Sequence, residues 1–163
     1  MPWDARPEAA VWTEATLLAV QAQDAALASR IPADIDQWCP GYKTGTMADR
    51  QAFWVALIAL TAKVESSFNP AATGPGGYYG LMQISSRTAA QSGCTVSTKA
   101  ELKDGENNLF CAVQIMSAHV AEDGEAVGAK GNRGIGRDWG PFSKASARAE
   151  IAAWTASQSY CQG

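Results

Sequence analysis

The run FWVALIALTAKVE, from Phe53 to Glu65, limits what this chain can fold into more than any other stretch. It has helical length, but its apolar residues wrap almost all the way round, so no face is left for water. Such a helix belongs at the centre of a domain, jacketed by other elements. At 163 residues the chain can build that jacket as one domain spanning 1–163, whereas splitting it would leave two marginal halves. Thr46 followed by Asp49 offers the helix an N-terminal cap. The other end carries the chemistry, because the run finishes on a carboxylic acid, Glu65. An acid held against apolar surface favours its neutral form, and the negative end of the helix dipole disfavours a second negative charge. Both effects push the pKa toward the range where a carboxyl group serves as a general acid at pH 7.

The remaining pattern is mainly α. Pro7 and Glu8 suit a first helical turn, and Leu17, Leu18, Val20 and Leu27 predict a helix to about Ser29. Pro32, Pro40, Gly41 and Gly45 mark a loop around Cys39. Between 71 and 80, Gly74, Gly76, Gly77 and Gly80 surround Pro75, Tyr78 and Tyr79 with little alternation. A turn or small irregular hairpin is expected there rather than a real sheet. Ser85 and Ser86 cap a short helix through Gln91, and Thr98 with Glu101 forms a capping box. Helical spacing resumes from Glu106 to Gly124. A Gly-rich stretch, 128–140, then precedes a last helix from about Ser143 to Ser157.

The residues around Glu65 resemble the signature of soluble lytic transglycosylases and goose-type lysozymes. Glu65, Ser66, Phe68, Asn69 and Pro70 stand as its Glu-Ser-x-Phe-Asn-Pro, and Gly80, Leu81, Met82 and Gln83 as its Gly-Leu-Met-Gln, with no insertion. The resemblance covers residues 50–120 well and the rest loosely. It implies a lysozyme-like fold whose buried central helix delivers Glu65 into a cleft, with a small irregular or β segment beside it. It also implies cleavage of peptidoglycan at the β-1,4 bond between N-acetylmuramic acid and N-acetylglucosamine.

Cleaving a glycosidic bond means protonating the leaving oxygen while an oxocarbenium-like centre develops, and Glu65 is the candidate acid. Ordinary hydrolases need a second carboxylate. Asp104, Glu106, Asp123 and Asp138 qualify by position, but no motif singles one out. In the lytic transglycosylases that this segment resembles, the same glutamate turns base toward the substrate's own C6 hydroxyl, leaving a 1,6-anhydro sugar. That route is expected ahead of hydrolysis by a muramidase of the same fold. A glycan-binding module without catalysis is the reading from another class, and the intact Glu65 argues against it.

The resemblance also nominates substrate-binding residues: Ser66, Thr73, Tyr79, Met82, Gln83, Asn108 and Trp139. Thr73 adjoins Gly74, which stands where the family has serine. Asn108 and Leu109 match an Asn-Ile pair, with Ala112 at a position usually held by glycine. The family's late Ala-Tyr-Asn element is replaced by GNRGIGRDWGPF. There Trp139 is expected as aromatic wall and Asn132 or Arg133 as polar contact. Tyr78, Tyr79 and Trp139 are candidates for stacking on sugar faces.

Four cysteines, Cys39, Cys94, Cys111 and Cys161, show no metal-binding spacing, and no metal or cofactor is expected. Three disulfide connectivities are possible. Cys94–Cys111 with Cys39–Cys161 is favoured, against four buried thiols in a reducing compartment. A net charge of −3 argues against nucleic acid as a partner. The basic run Lys130, Arg133, Arg137, Lys144 and Arg148 reads as a solvated face, or else as a contact for the carboxylates of cell-wall glycan. The lone histidine, His119, reads as surface or packing. No spanning helix or signal peptide is read in the first thirty residues, because Gln21, Gln23 and Asp24 interrupt the apolar stretch. The expectation is a monomeric enzyme of bacteriophage endolysin type, made in the host cytoplasm and passed to the cell wall by a holin-type route. A virion-associated or secreted bacterial enzyme is the alternative.

Overall fold

The computed structural model describes residues 1–162. Six α-helices carry the chain among them: α1 (Ala9–Ala22), α2 (Met47–Ser66), α3 (Ser86–Gln91), α4 (Lys99–Leu102), α5 (Gly105–Asp123) and α6 (Ala145–Ala156). Short 3-10 turns occur at Ile35–Gln37, Gly134–Arg137, Gly140–Ser143 and Ser159–Cys161. One connected hydrophobic core runs from Trp3 to Cys161.

The centre of that core is α2. Every residue from Phe53 to Ala62 is buried, as an all-round apolar helix requires. Its start is a full capping box: Thr46 Oγ1 accepts from Asp49 N at 3.2 Å, and Asp49 Oδ2 accepts from Thr46 N at 2.9 Å. Helices α1, α5 and α6 pack around it. Thr98 and Glu101 make a second capping box for α4, and Asp104 caps α5 by accepting from Asn107 N at 3.0 Å. Gly124 closes α5 in the left-handed conformation at φ 69°.

Two expectations need correction. Helix α1 stops at Ala22 instead of continuing to Ser29. Beyond it, the Asp24 carboxylate accepts from Gln51 Nε2 on α2 at 2.9 and 3.1 Å, and the Tyr42 hydroxyl donates to the Leu27 carbonyl at 3.2 Å. These tertiary bonds hold the segment in turns while still burying Leu27. The stretch after α2 is also more than a hairpin. Strands β1 (Thr73–Gly74), β2 (Tyr78–Tyr79) and β3 (Ile84–Ser85) form a small antiparallel sheet in that order. Its register pairs Thr73 with Tyr79, Gly74 with Tyr78, Tyr78 with Ser85 and Tyr79 with Ile84.

Disulfides join Cys39 to Cys161 and Cys94 to Cys111, with Cα separations of 4.7 and 5.3 Å. The first ties the loop before α2 to the C-terminal turn. The second fastens the loop after α3 to the first half of α5. Among the described residues, no helix is long and apolar enough to cross a membrane.

Candidate active site

A cleft of about 660 Å³ opens at the C-terminal end of α2, with Glu65 in its lining. Gly74, Pro75, Tyr78 and Gln83 form one wall from the sheet segment, and Asp138, Trp139, Gly140, Pro141, Lys144 and Ala147 form the other. No hydrogen bond or ion pair among the described residues reaches the Glu65 carboxylate. Burial alone pushes its pKa up from 4.5 to about 7. A half-buried acid without a cationic partner is poised to donate a proton near neutral pH.

The backbone around the acid is strained. Ser67, Phe68 and Gln83 have φ of 52°, 61° and 49°, the only non-glycine residues with positive φ among those described. Such conformations cost free energy and persist where the surroundings over-determine them. Here Asn108 does much of the holding. It is fully buried on α5, its Nδ2 donates to the carbonyls of Tyr79 and Leu102 at 3.0 and 2.9 Å, and its Oδ1 accepts from Met82 N at 2.7 Å. Gly80, at φ 78°, lies so close that a Cβ would strike Asn108 and the Leu102 carbonyl. The Trp139 indole N–H donates to Met82 O at 2.8 Å, tying the second wall to the first.

This geometry sorts the residues nominated from sequence. Glu65, Gln83 and Trp139 line the cleft. Asn108 and Met82 do not, since both are fully buried, and Asn108 acts on the loop rather than on a ligand. Ser66 turns back on its own helix and donates to Ala62 O at 3.1 Å. Thr73 and Tyr79 are cross-strand partners on the sheet face opposite Gly74 and Tyr78, so Tyr78 and not Tyr79 lines the cleft. The Tyr79 ring instead has Lys99 Nζ 5.9 Å from its centroid.

Gly74 explains its own departure from serine. A Cβ there would run into Gln83 Oε1, so the missing side chain is the space that the glutamine amide occupies. Gln83 Nε2 donates to Gly80 O at 2.8 Å, which holds the amide in that position.

Of the four candidate second carboxylates, three have other work or lie elsewhere. Asp104 caps α5, and Glu106 is exposed on its first turn. Asp123 binds Arg133, Arg137 and the Gly134 amide. Only Asp138 lines the cleft with Glu65. The basic run divides in the same way: Arg133 and Arg137 pair with Asp123 and Glu122, and Arg148 donates to the carbonyls of Lys130 and Phe142. Lys144 alone of the five reaches the cleft, and neither Asn132 nor Arg133 does.

Residues 44–153, about two-thirds of the chain, match the family described as the transglycosylase SLT domain. The chain belongs to that family. No curated protein sequence matches it. Solved structures of Bd0314 DslA share the fold of this SLT domain: the wild type superposes with a TM-score of 0.87 at 26% identity, covering 97% of this chain and 94% of that one. Two glutamate-to-glutamine mutants of the same protein give TM-scores of 0.89 and 0.87 at 25% and 24% identity, with the same coverage. The fold is therefore that of the lysozyme-like SLT enzymes, and the chain is an enzyme of the lytic transglycosylase type acting on peptidoglycan.

Proposed function

We propose that residues 1–163 act as one catalytic domain and a monomer, cleaving the β-1,4 bond between N-acetylmuramic acid and N-acetylglucosamine with Glu65 as the single acid and base. The observation that carries this reading is the Glu65 carboxyl itself: in the cleft, without a partner charge, and raised to about 7 by burial. In the first step Glu65 protonates the leaving glycosidic oxygen as charge develops at the anomeric carbon. The carboxylate so formed then takes the proton from the C6 hydroxyl of the same muramic residue, whose oxygen closes on the anomeric carbon. The product is a 1,6-anhydro sugar, and no water is consumed.

Gln83 and Tyr78 border the reacting sugar from the sheet side, and Trp139 from the other. The hydrolytic reading has one observation in its favour, the presence of Asp138 in the same cleft. Two disulfides suit work at the cell wall, outside the reducing cytoplasm. Release by a holin-type route as an endolysin completes the proposal.

Glu65→Gln is expected to lower turnover on purified cell wall by about 10²–10⁴-fold, the usual contribution of a general acid. Unchanged lysis would remove Glu65 from that role. Mass spectrometry of the released muropeptides separates the two routes, because anhydro ends are one water lighter than reducing ends. The endolysin role predicts that cells making the protein lyse only when their inner membrane is permeabilised. Lysis without permeabilisation sinks that part.

A further inference from the structure

Asp138 and His119 make a contact that the reaction above does not use. His119 Nε2 on α5 and Asp138 Oδ2 are hydrogen-bonded at 2.7 Å, with the histidine side chain 23% exposed and the aspartate 39%. Asp138 lines the main cleft and also a smaller adjoining cavity of about 90 Å³, which it shares with Tyr78, Gln83, Ser85, Thr88 and Trp139. It thus stands where the cleft continues past the residues beside Glu65. Its other oxygen, Oδ1, accepts no hydrogen bond from the described residues.

The histidine comes from a rigid support. Helix α5 is capped by Asp104 and fastened by the Cys94–Cys111 disulfide. The adjacent Trp139 is pinned separately, through its indole N–H on Met82 O. Residues 138 and 139 are therefore held at two points, each from a different element. One carboxylate oxygen is anchored and the other is left to the cleft.

We propose that Asp138 is a substrate-binding residue whose free oxygen accepts a hydrogen bond from an N–H or O–H group of the glycan, and that His119 is the positioning residue that aims it. A glycan carries acetamido N–H and hydroxyl donors along its length, and an ionised acceptor makes the stronger kind of hydrogen bond with them. This rests on the reading that the cleft cuts peptidoglycan at Glu65. A single partly exposed hydrogen bond of this sort adds little to stability, so a binding effect is read against an unchanged fold.

The test uses the whole protein on soluble, uncross-linked glycan strands, so that KM and kcat are both defined. Asp138→Ala is expected to raise KM by about 10-fold or more, the loss typical of a hydrogen bond to a charged group, with kcat little changed. His119→Ala should raise KM by a smaller factor, and His119→Gln, which keeps a donor, should restore most of it. The double variant should be no worse than Asp138→Ala alone, because His119 acts only through the aspartate. A KM unmoved by Asp138→Ala overturns the proposal. So does a full additional effect of His119→Ala in the Asp138→Ala background. Loss of kcat with KM unmoved would move Asp138 from binding into the chemical step, which also overturns it. Glu65→Gln in the same assay reports on the underlying reading separately, through kcat.

Discussion

The cleft wall that carries Gly74, Tyr78 and Gln83 and the wall that runs from Asp138 to Lys144 each depend on one buried polar side chain from a distant element. For the first it is Asn108, whose amide holds the backbone at Tyr79, Met82 and Leu102. For the second it is Asp34, 7% exposed, at the base of the Gly-rich segment that leads into the wall. Its carboxylate accepts from the amides of Ala126, Val127 and Gly128 at 2.6, 3.0 and 2.8 Å, and from the Trp38 indole at 3.1 Å. The walls differ in where they put unusual backbone. The first carries side chains at left-handed positions, at Ser67, Phe68 and Gln83, beside its glycines Gly76, Gly77 and Gly80, whereas the second segment has only glycines there, Gly128, Gly131 and Gly134. A glycine there is relaxed, but it contributes nothing to the cleft. A glutamine at φ 49° costs backbone energy, and it places an amide beside the acid. The strained wall places its amide through left-handed backbone, whereas the glycine-rich wall has Asp138 and Trp139 held by side-chain hydrogen bonds to other elements.

Removing each anchor should dissect the two walls. Asp34→Ala leaves three backbone N–H groups and an indole N–H without their acceptor. A loss of about 3–4 kcal/mol is expected in denaturant unfolding, large for one substitution. Amide hydrogen exchange should show protection lost first at Ala126 to Gly128, with Met82 still protected. Asn108→Ala removes one acceptor and two donated bonds, for about 2–3 kcal/mol, and should expose Met82 while sparing Ala126. If both variants lose protection equally in both places, the walls form one cooperative unit and the contrast between them fails.

Much of the first wall was legible in the sequence, because its determinants are local. An apolar run ending in Glu65, a glycine at 80 and a glutamine at 83 follow one another within twenty residues. The capping boxes at Thr46 and Thr98 were legible for the same reason. What local pattern did not carry was register. Tyr78 and Tyr79 are adjacent and alike, and only the pairing of Gly74 with Tyr78 decides which one meets the cleft. Asn108 stands out as a residue type, but its partner at Met82 lies 26 positions away, so its hold on the loop is not visible in the local pattern. The second wall was less readable still. Asp34 acts across more than ninety positions, and Asp138 owes its place to a histidine on another helix. Nothing in the local pattern of either aspartate announces that.

A smaller change tests why the first wall tolerates its strain. In Gly74→Ser the new Cβ would displace Gln83 Oε1, the flexible end of a side chain, so the fold has room to adjust. Stability should move by no more than about 1 kcal/mol, while KM for glycan strands rises several-fold as the amide leaves its position. Kinetics identical to the unsubstituted enzyme would show that the exact placement of Gln83 does not matter. The glycine would then be incidental to function.

The smallest effect belongs to Glu65 itself, which both walls help to desolvate. Its folded pKa of about 7 lies above the ordinary 4.5, so folding favours the protonated carboxyl. Below pH 4.5 the group is neutral in both states and burial carries no electrostatic cost. Between pH 4.5 and 7 the unfolded chain ionises it while the folded protein resists, so stability falls as pH rises through that window. Glu65→Gln, neutral throughout, lacks this loss. Its Tm should exceed that of the unsubstituted protein by a few degrees more at pH 8 than at pH 4, a modest gap because the carboxyl is partly exposed and screened. Proton donation should fade over the same range, with kcat declining as pH rises past about 7. A Tm difference that stays flat from pH 4 to pH 8 would mean the acid is not desolvated by the cleft. The two walls would then have to assist the proton transfer by binding the glycan alone.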